Sequence, residues 1–201
     1  MNKFGTAMIL AGGKSSRMGF DKQFIKINEK RIVNIIAAKL EKEFDEIIII
    51  TNKADEYKES KYRIAEDVIK GKGPLSGIHA GLSICTSKYA FVVACDMPNI
   101  NIDYIKYMKS IIESNDVQGC VTKYENWIEP FSGFYSKDIL VNIEKQLKSN
   151  MRSINKLLKE LDIYYINEKK AREFSPTWDM FLNLNTKDDL NNYLEVTDSI
   201  D

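Results

Sequence analysis

Ala7-Met8-Ile9-Leu10-Ala11-Gly12-Gly13-Lys14-Ser15-Ser16-Arg17-Met18-Gly19-Phe20-Asp21-Lys22 opens on an apolar run and breaks at a pair of glycines inside a basic segment. Ala7 to Leu10 reads as a β-strand that passes into a loop shaped to hold phosphate. Adjacent glycines let backbone N–H groups turn toward one anion, and Lys14, Arg17 and Lys22 set cations around the same point. Together they point to a nucleoside triphosphate. Two better-known glycine loops are excluded. A P-loop requires G-x-x-x-x-G-K-[ST]; Gly13-Lys14-Ser15 supplies its end, but Met8 stands where the first glycine belongs. The dinucleotide fingerprint G-x-G-x-x-G fails because Gly12 and Gly13 adjoin and the next glycine is Gly19. A glycine turn that merely ends a strand is the plainer alternative, and the rarity of such a run argues against it.

The 201 residues suit one α/β domain with a full core. Lys plus Arg and Asp plus Glu both total 29, so no overall field favours nucleic acid or an acidic membrane, and any anion site must be local. Cys85, Cys95 and Cys120 are odd in number and lack C-x-x-C spacing, which argues against a disulfide scaffold and a zinc site. Neither a signal-like start nor an apolar run of membrane-spanning length is visible. A cytoplasmic protein with no nucleic-acid or membrane partner is expected.

Short apolar runs alternate with helical periodicity, the pattern of crossover helices joining mainly parallel strands. Strands are expected over Ala7–Leu10, Ile47–Ile50, Tyr62–Ala65, Tyr89–Ala94, Gln118–Lys123, Phe131–Tyr135 and Ile163–Ile166. Helices are expected over Arg31–Phe44, Ser76–Cys85, a segment after Asp103, Asp138–Lys148, Ser153–Glu160 and Lys187–Tyr193. The four β-branched residues Ile47–Ile50 imply a strand buried on both faces. The fold class is a three-layer α/β/α sandwich with a Rossmann-like, mostly parallel mixed sheet.

In such sheets ligands gather beyond the carboxyl ends of the strands. Leu10 to Gly13, Thr51-Asn52, Glu66-Asp67 and Cys95-Asp96-Met97-Pro98 all fall there. Asp96 ends a buried run, and Pro98 stops the ladder just beyond. Magnesium takes oxygen ligands and commonly uses one or two carboxylates with substrate phosphates, so Asp96 suits a metal site; a turn or helix-capping aspartate is the other reading. Asn52 offers a donor and an acceptor to a base edge, or is a turn residue. Gly73 and Gly77 around Pro74 admit a base or ribose close to the backbone, ahead of a helix whose positive end enters the crevice, or they simply form a turn that leads into a capped helix. His79, the one histidine, sits within that helix, where a packing or surface role is expected rather than catalysis.

Leu10-Ala11-Gly12-Gly13, Arg17-Met18-Gly19 and Asp21-Lys22 resemble L-A-G-G-x-S-x-R-M-G-x-D-K, the signature loop of molybdenum cofactor guanylyltransferases within the nucleotidyltransferase superfamily. Cys95-Asp96-Met97-Pro98 resembles the family's metal-binding aspartate, and Phe181-Leu182-Asn183-Leu184-Asn185-Thr186 resembles its F-x-N-x-N-T segment, followed by Asp188 and Asp189. The resemblance implies transfer of GMP from GTP to the terminal phosphate of molybdopterin or its molybdenum-loaded form, with Mg2+ as cofactor. Arg17, Lys22 and Asp96 would be catalytic, with Asp96 on the metal. Leu10, Ala11, Gly12, Gly13, Lys22, Asn52, Asp67, Gly77 and Asp96 would bind nucleotide, and Glu129, Asn183 and Asn185 the acceptor. Residues of about 1–100 would form the nucleotide half and about 101–201 the acceptor half. Transient contact with pterin-delivering and molybdoenzyme-maturation proteins is implied. If 181–184 is a strand, alternation sets Phe181, Asn183 and Asn185 toward the crevice and Leu182 and Leu184 into the core. A nucleotidyltransferase using CTP or UTP on another phosphorylated small molecule would keep the same loop and Asp96. So would a nucleotide-binding module without chemistry.

Overall fold

The computed structural model describes residues 2–12, 21–67, 73–149 and 152–198. Gly13, Lys14 and Arg17 therefore lie outside the described residues. The chain runs through β1 (Thr6–Leu10), a small hairpin of β2 (Lys26–Ile27) and β3 (Lys30–Arg31), α1 (Ile32–Leu40), β4 (Glu46–Ile50) and β5 (Arg63–Ala65). It continues through α2 (Pro74–Ile84), β6 (Tyr89–Ala94), α3 (Ile102–Ser114), β7 (Gly119–Tyr124) and β8 (Trp127–Ser136). Then follow α4 (Leu140–Lys148), α5 (Ile154–Lys159), β9 (Ile163–Asn167), α6 (Glu168–Arg172) and α7 (Lys187–Asp198).

Among the described residues, seven strands form one sheet in the order β5-β4-β1-β6-β8-β7-β9. β5, β4, β1 and β6 pair in parallel, β8 is antiparallel to both β6 and β7, and β7 is parallel to β9. Only β8 is reversed, so its beginning shares a rim with the carboxyl ends of the others. Ile47 to Ile50 are all buried, as a strand covered on both faces requires. Alternation sorts side chains into two cores. Ala7, Ile9, Ile47, Ile49, Phe91 and Val93 pack with α1 and α3, while Met8, Leu10, Ile48, Ile50, Ala90 and Val92 pack with α2 and α4. The expected three-layer mixed sandwich is what forms. Cys85, Cys95 and Cys120 are free and buried in it, and no helix of the described residues is long and apolar enough to cross a membrane.

Several expectations need correction. α1 starts one residue later than expected because Arg31 pairs with Lys26 in the hairpin and serves as the helix's extended N-cap, and it ends at Leu40, short of Phe44. α2 starts at Pro74, whose fixed φ suits the first helical turn. The hairpin and α6 escaped the reading because each is too short and polar to show periodicity. Residues 182–186 form no strand: Phe181 is buried at 6% exposure and Leu182 is 38% exposed, the reverse of the expected alternation, although Leu184 does enter the core. A tight helical turn over Asp179–Phe181, entered with Trp178 at φ 69°, rotates Phe181 inward against the Trp178 ring.

The antiparallel seam is held close by Gly119. A Cβ there would lie 2.7 Å from the Phe134 carbonyl oxygen and 2.9 Å from Ile163 Cδ1. Backbone oxygen cannot yield as a side chain can, so Gly119→Ala is expected to cost about 1–3 kcal/mol, the usual range for overpacking. Thermal unfolding should show a lowered midpoint, and an unchanged one would mean that β7 and β8 separate freely there.

Candidate active site

Two groups of residues gather on the carboxyl rim of the sheet. The first lies where β1, β4 and β5 end. Asn52, just past β4, donates from Nδ2 to Asp67 Oδ2 at 3.3 Å. A Cβ on Gly77 would meet Leu10 Cδ2 at 3.1 Å and Asp67 Oδ1 at 3.6 Å, and one on Gly12 would have Asn52 Nδ2 as its neighbour at 3.8 Å. Leu10, Gly12, Asn52, Asp67 and Gly77 thus share one patch. At Gly77 the missing side chain lets α2 sit close to β1 beside the Asp67 carboxylate. Ala11 differs: it is buried, and its N–H is consumed by the Ile50 carbonyl at 2.8 Å. Any contact from Ala11 to a ligand must use other atoms.

The second group is built around Lys22. Its ammonium donates to Asp96 Oδ2 at 2.7 Å and to Asn185 Oδ1 at 2.6 Å. The side chains of Lys22 and Asp96 are 17% and 16% exposed, so the pair is shielded yet reachable. The backbone supports this meeting. Cys95 N–H donates to the Leu10 carbonyl at 3.1 Å, tying the Asp96 turn to the end of β1, and Leu184 N–H donates to the Asp96 carbonyl at 2.9 Å. Asp189 accepts from the N–H groups of Asn185 and Thr186 at 2.9 and 2.8 Å, fixing the approach to α7. The Thr186 hydroxyl first, with these amides, holds the Asp189 carboxyl below its ordinary range against a small desolvation cost. Asn183 turns back on its own chain, donating to the Phe181 carbonyl at 3.0 Å.

Glu129 reaches the same rim because β8 is reversed. The β7–β8 register shifts between Cys120 and Thr122, and Ser132 takes φ 71°, an irregularity of the kind that re-aims a strand. Glu129 Oε1 accepts from Phe131 N–H at 3.1 Å, and the exposed Trp127 also hydrogen-bonds the carboxylate through its side chain. Burial pushes the Glu129 carboxyl up to about 7; those hydrogen bonds oppose the shift, and the negative charge of Asp96 adds to it. His79 proves to be a packing residue, with Nε2 3.5 Å from Glu144 Oε1 between α2 and α4. Arg152 is exposed beside the start of α5.

A lysine and an aspartate meet at the strand ends of a mostly parallel sheet, where such folds bind ligands, and the chain's family places it in the nucleotidyltransferase class. Residues 7–164 match the MobA-like NTP transferase domain, and the chain belongs to that family. A probable molybdenum cofactor guanylyltransferase of Peptoclostridium acidaminophilum is 52% identical over 96% of this chain and 90% of its own length. The molybdenum cofactor guanylyltransferase of Syntrophotalea carbinolica is 48% identical over 93% and 89%. The fold matches that of molybdopterin-guanine dinucleotide biosynthesis protein A from Archaeoglobus fulgidus with a TM-score of 0.85 at 23% identity, covering 96% of this chain and 99% of that one.

The raised Glu129 carboxyl has a consequence for stability. Folded protein keeps that proton up to about pH 7, whereas the unfolded chain releases it in the ordinary carboxylate range. The native state binds more protons between those limits, so stability falls as pH rises through that window. Glu129→Gln, neutral throughout, should lose this fall. In metal-free buffer its thermal midpoint should gain on the parent's from pH 5 to pH 8, and a constant difference would contradict the assignment.

Proposed function

We propose that the protein transfers GMP from GTP to the terminal phosphate of molybdopterin or its molybdenum-loaded form, giving the guanine dinucleotide cofactor and pyrophosphate. The observation that carries the assignment of roles is the Lys22 ammonium held between Asp96 and Asn185. In this reading Leu10, Gly12, Asn52, Asp67 and Gly77 form the nucleotide side. Asn52 and Asp67 present an amide and a carboxylate, groups suited to a purine edge or ribose hydroxyl, and Gly77 leaves the space. Glu129, Asn183 and Asn185 belong to the acceptor side, with the division between the two halves near residue 100.

The acceptor phosphate is already anionic at neutral pH, so its oxygen attacks the α-phosphorus without a general base. The α-phosphorus to bridging-oxygen bond then breaks, and pyrophosphate departs. What this chain supplies is position and charge. Lys22 meets phosphate oxygens as charge builds, together with Gly12, Gly13 and Arg17 of the signature loop. The oxygen donors of Asp96 fit magnesium, which takes one or two carboxylates beside substrate phosphates. When bound, such an ion supplies charge neutralisation at the phosphoryl oxygens.

Pyrophosphate release with magnesium should require GTP and molybdopterin together, and CTP, UTP or ATP should replace GTP poorly. Asp96→Ala should lower turnover about a hundredfold and Lys22→Ala about tenfold or more, the scale seen when one charge-stabilising group is deleted. Undiminished turnover in Asp96→Ala with GTP still bound would overturn the catalytic reading. Equal rates with CTP would move the protein to another substrate branch.

A further inference from the structure

Gln23 is 2% exposed within the tight helical turn over Lys22–Phe24. Both ends of its carboxamide are held. Oε1 accepts from Thr51 Oγ1 at 2.8 Å and Tyr57 Oη at 3.2 Å, while Nε2 donates to Asp21 Oδ2 at 2.8 Å. Flipping the amide would set its oxygen against the Asp21 carboxylate, so one orientation is fixed. Asp21 also accepts from Gln23 N–H at 3.3 Å and from Lys53 Nζ at 3.1 Å. The anchor at the other end is firm, because Thr51 directly follows β4 and its N–H donates to the Ala65 carbonyl at 2.9 Å. Lys22 lies between the two residues joined by this link.

We propose that Gln23 is a positioning residue: its buried carboxamide fastens the Asp21–Lys22–Gln23 turn to the end of β4 and thereby aims the Lys22 ammonium at Asp96 and Asn185. The inference rests on the role given to Lys22 above. The residue type follows from the chemistry. The site must accept from two hydroxyls and donate to a carboxylate at once, which a carboxamide can do. A glutamate would set a second carboxylate against Asp21, and a methionine of similar length would supply neither strong partner. Exchanging the carboxamide for a thioether takes the acceptor from the Thr51 and Tyr57 hydroxyls and a donor from the Asp21 carboxylate, freeing the turn that carries Lys22.

A double-mutant cycle on kcat/KM for GTP separates positioning from simple support of the fold. Gln23→Met is expected to lose about tenfold, comparable to deleting one charged donor. In a Lys22→Ala background the same change should add less than about twofold, because the group it aims is gone. Losses that multiply would overturn the inference while leaving the proposed function intact. A Lys22→Ala enzyme as fast as the parent would overturn the inference together with the role given to Lys22. Should Gln23→Met fail to fold, the pair Thr51→Val and Tyr57→Phe removes the donors to Oε1 and enters the same cycle, with the same two outcomes deciding.

Discussion

Lys22, Asp96 and Asn185 come from three distant parts of the chain and meet where the Lys22 ammonium donates hydrogen bonds to the other two. An ion pair this shielded loses hydration on both sides, and its attraction only roughly offsets that loss. Stability alone is therefore a poor reason for keeping it. In the proposed function this cation, already held beside a carboxylate on the carboxyl rim, is the group that meets the polyphosphate as charge builds. The surrounding backbone serves that arrangement, since the Asp96 turn is bonded to the end of β1 on one side and to Leu184 on the other.

The sheet explains why the meeting occurs where it does. Both faces are covered, by α1 and α3 on one side and by α2 and α4 on the other. Polar side chains are left the rim. Parallel pairing of β5, β4, β1 and β6 sends all their carboxyl ends to one rim, and the single reversed strand β8 adds Glu129 by its beginning. Gly77 brings α2 down close to Leu10 and Asp67. The two patches, Asn52 with Asp67 and Lys22 with Asp96, then lie along a common edge formed by neighbouring strands.

Much of this is legible in the sequence. Ile47–Ile50 announced a doubly covered strand, Tyr89–Ala94 was read to the residue, and Asp96 stood out because a charge follows a buried run. Those signals are local, carried by residues adjacent in sequence. The Lys22–Asn185 contact was not readable, because it depends on 181–186 docking on the Asp96 turn. Leu182 and Phe181 exchanged their expected faces because a tight turn at Trp178 replaced strand alternation. Gln23 looked like one more polar residue in a charged stretch; its burial is created by Thr51 and Tyr57, which arrive from beyond α1. Glu129 was read through resemblance, but its link to Asp96 needed the direction of β8. Trp127 gave no periodic signal at all.

The most direct measurement is a crystal structure with a non-reactive GTP analogue and magnesium. The account expects the Lys22 ammonium within hydrogen-bond distance of a phosphate oxygen, with Asp96 facing the same phosphates and the guanosine beside Asn52, Asp67 and Gly77. A triphosphate lodged elsewhere, with the Lys22–Asp96–Asn185 contact turned away from it, would contradict it.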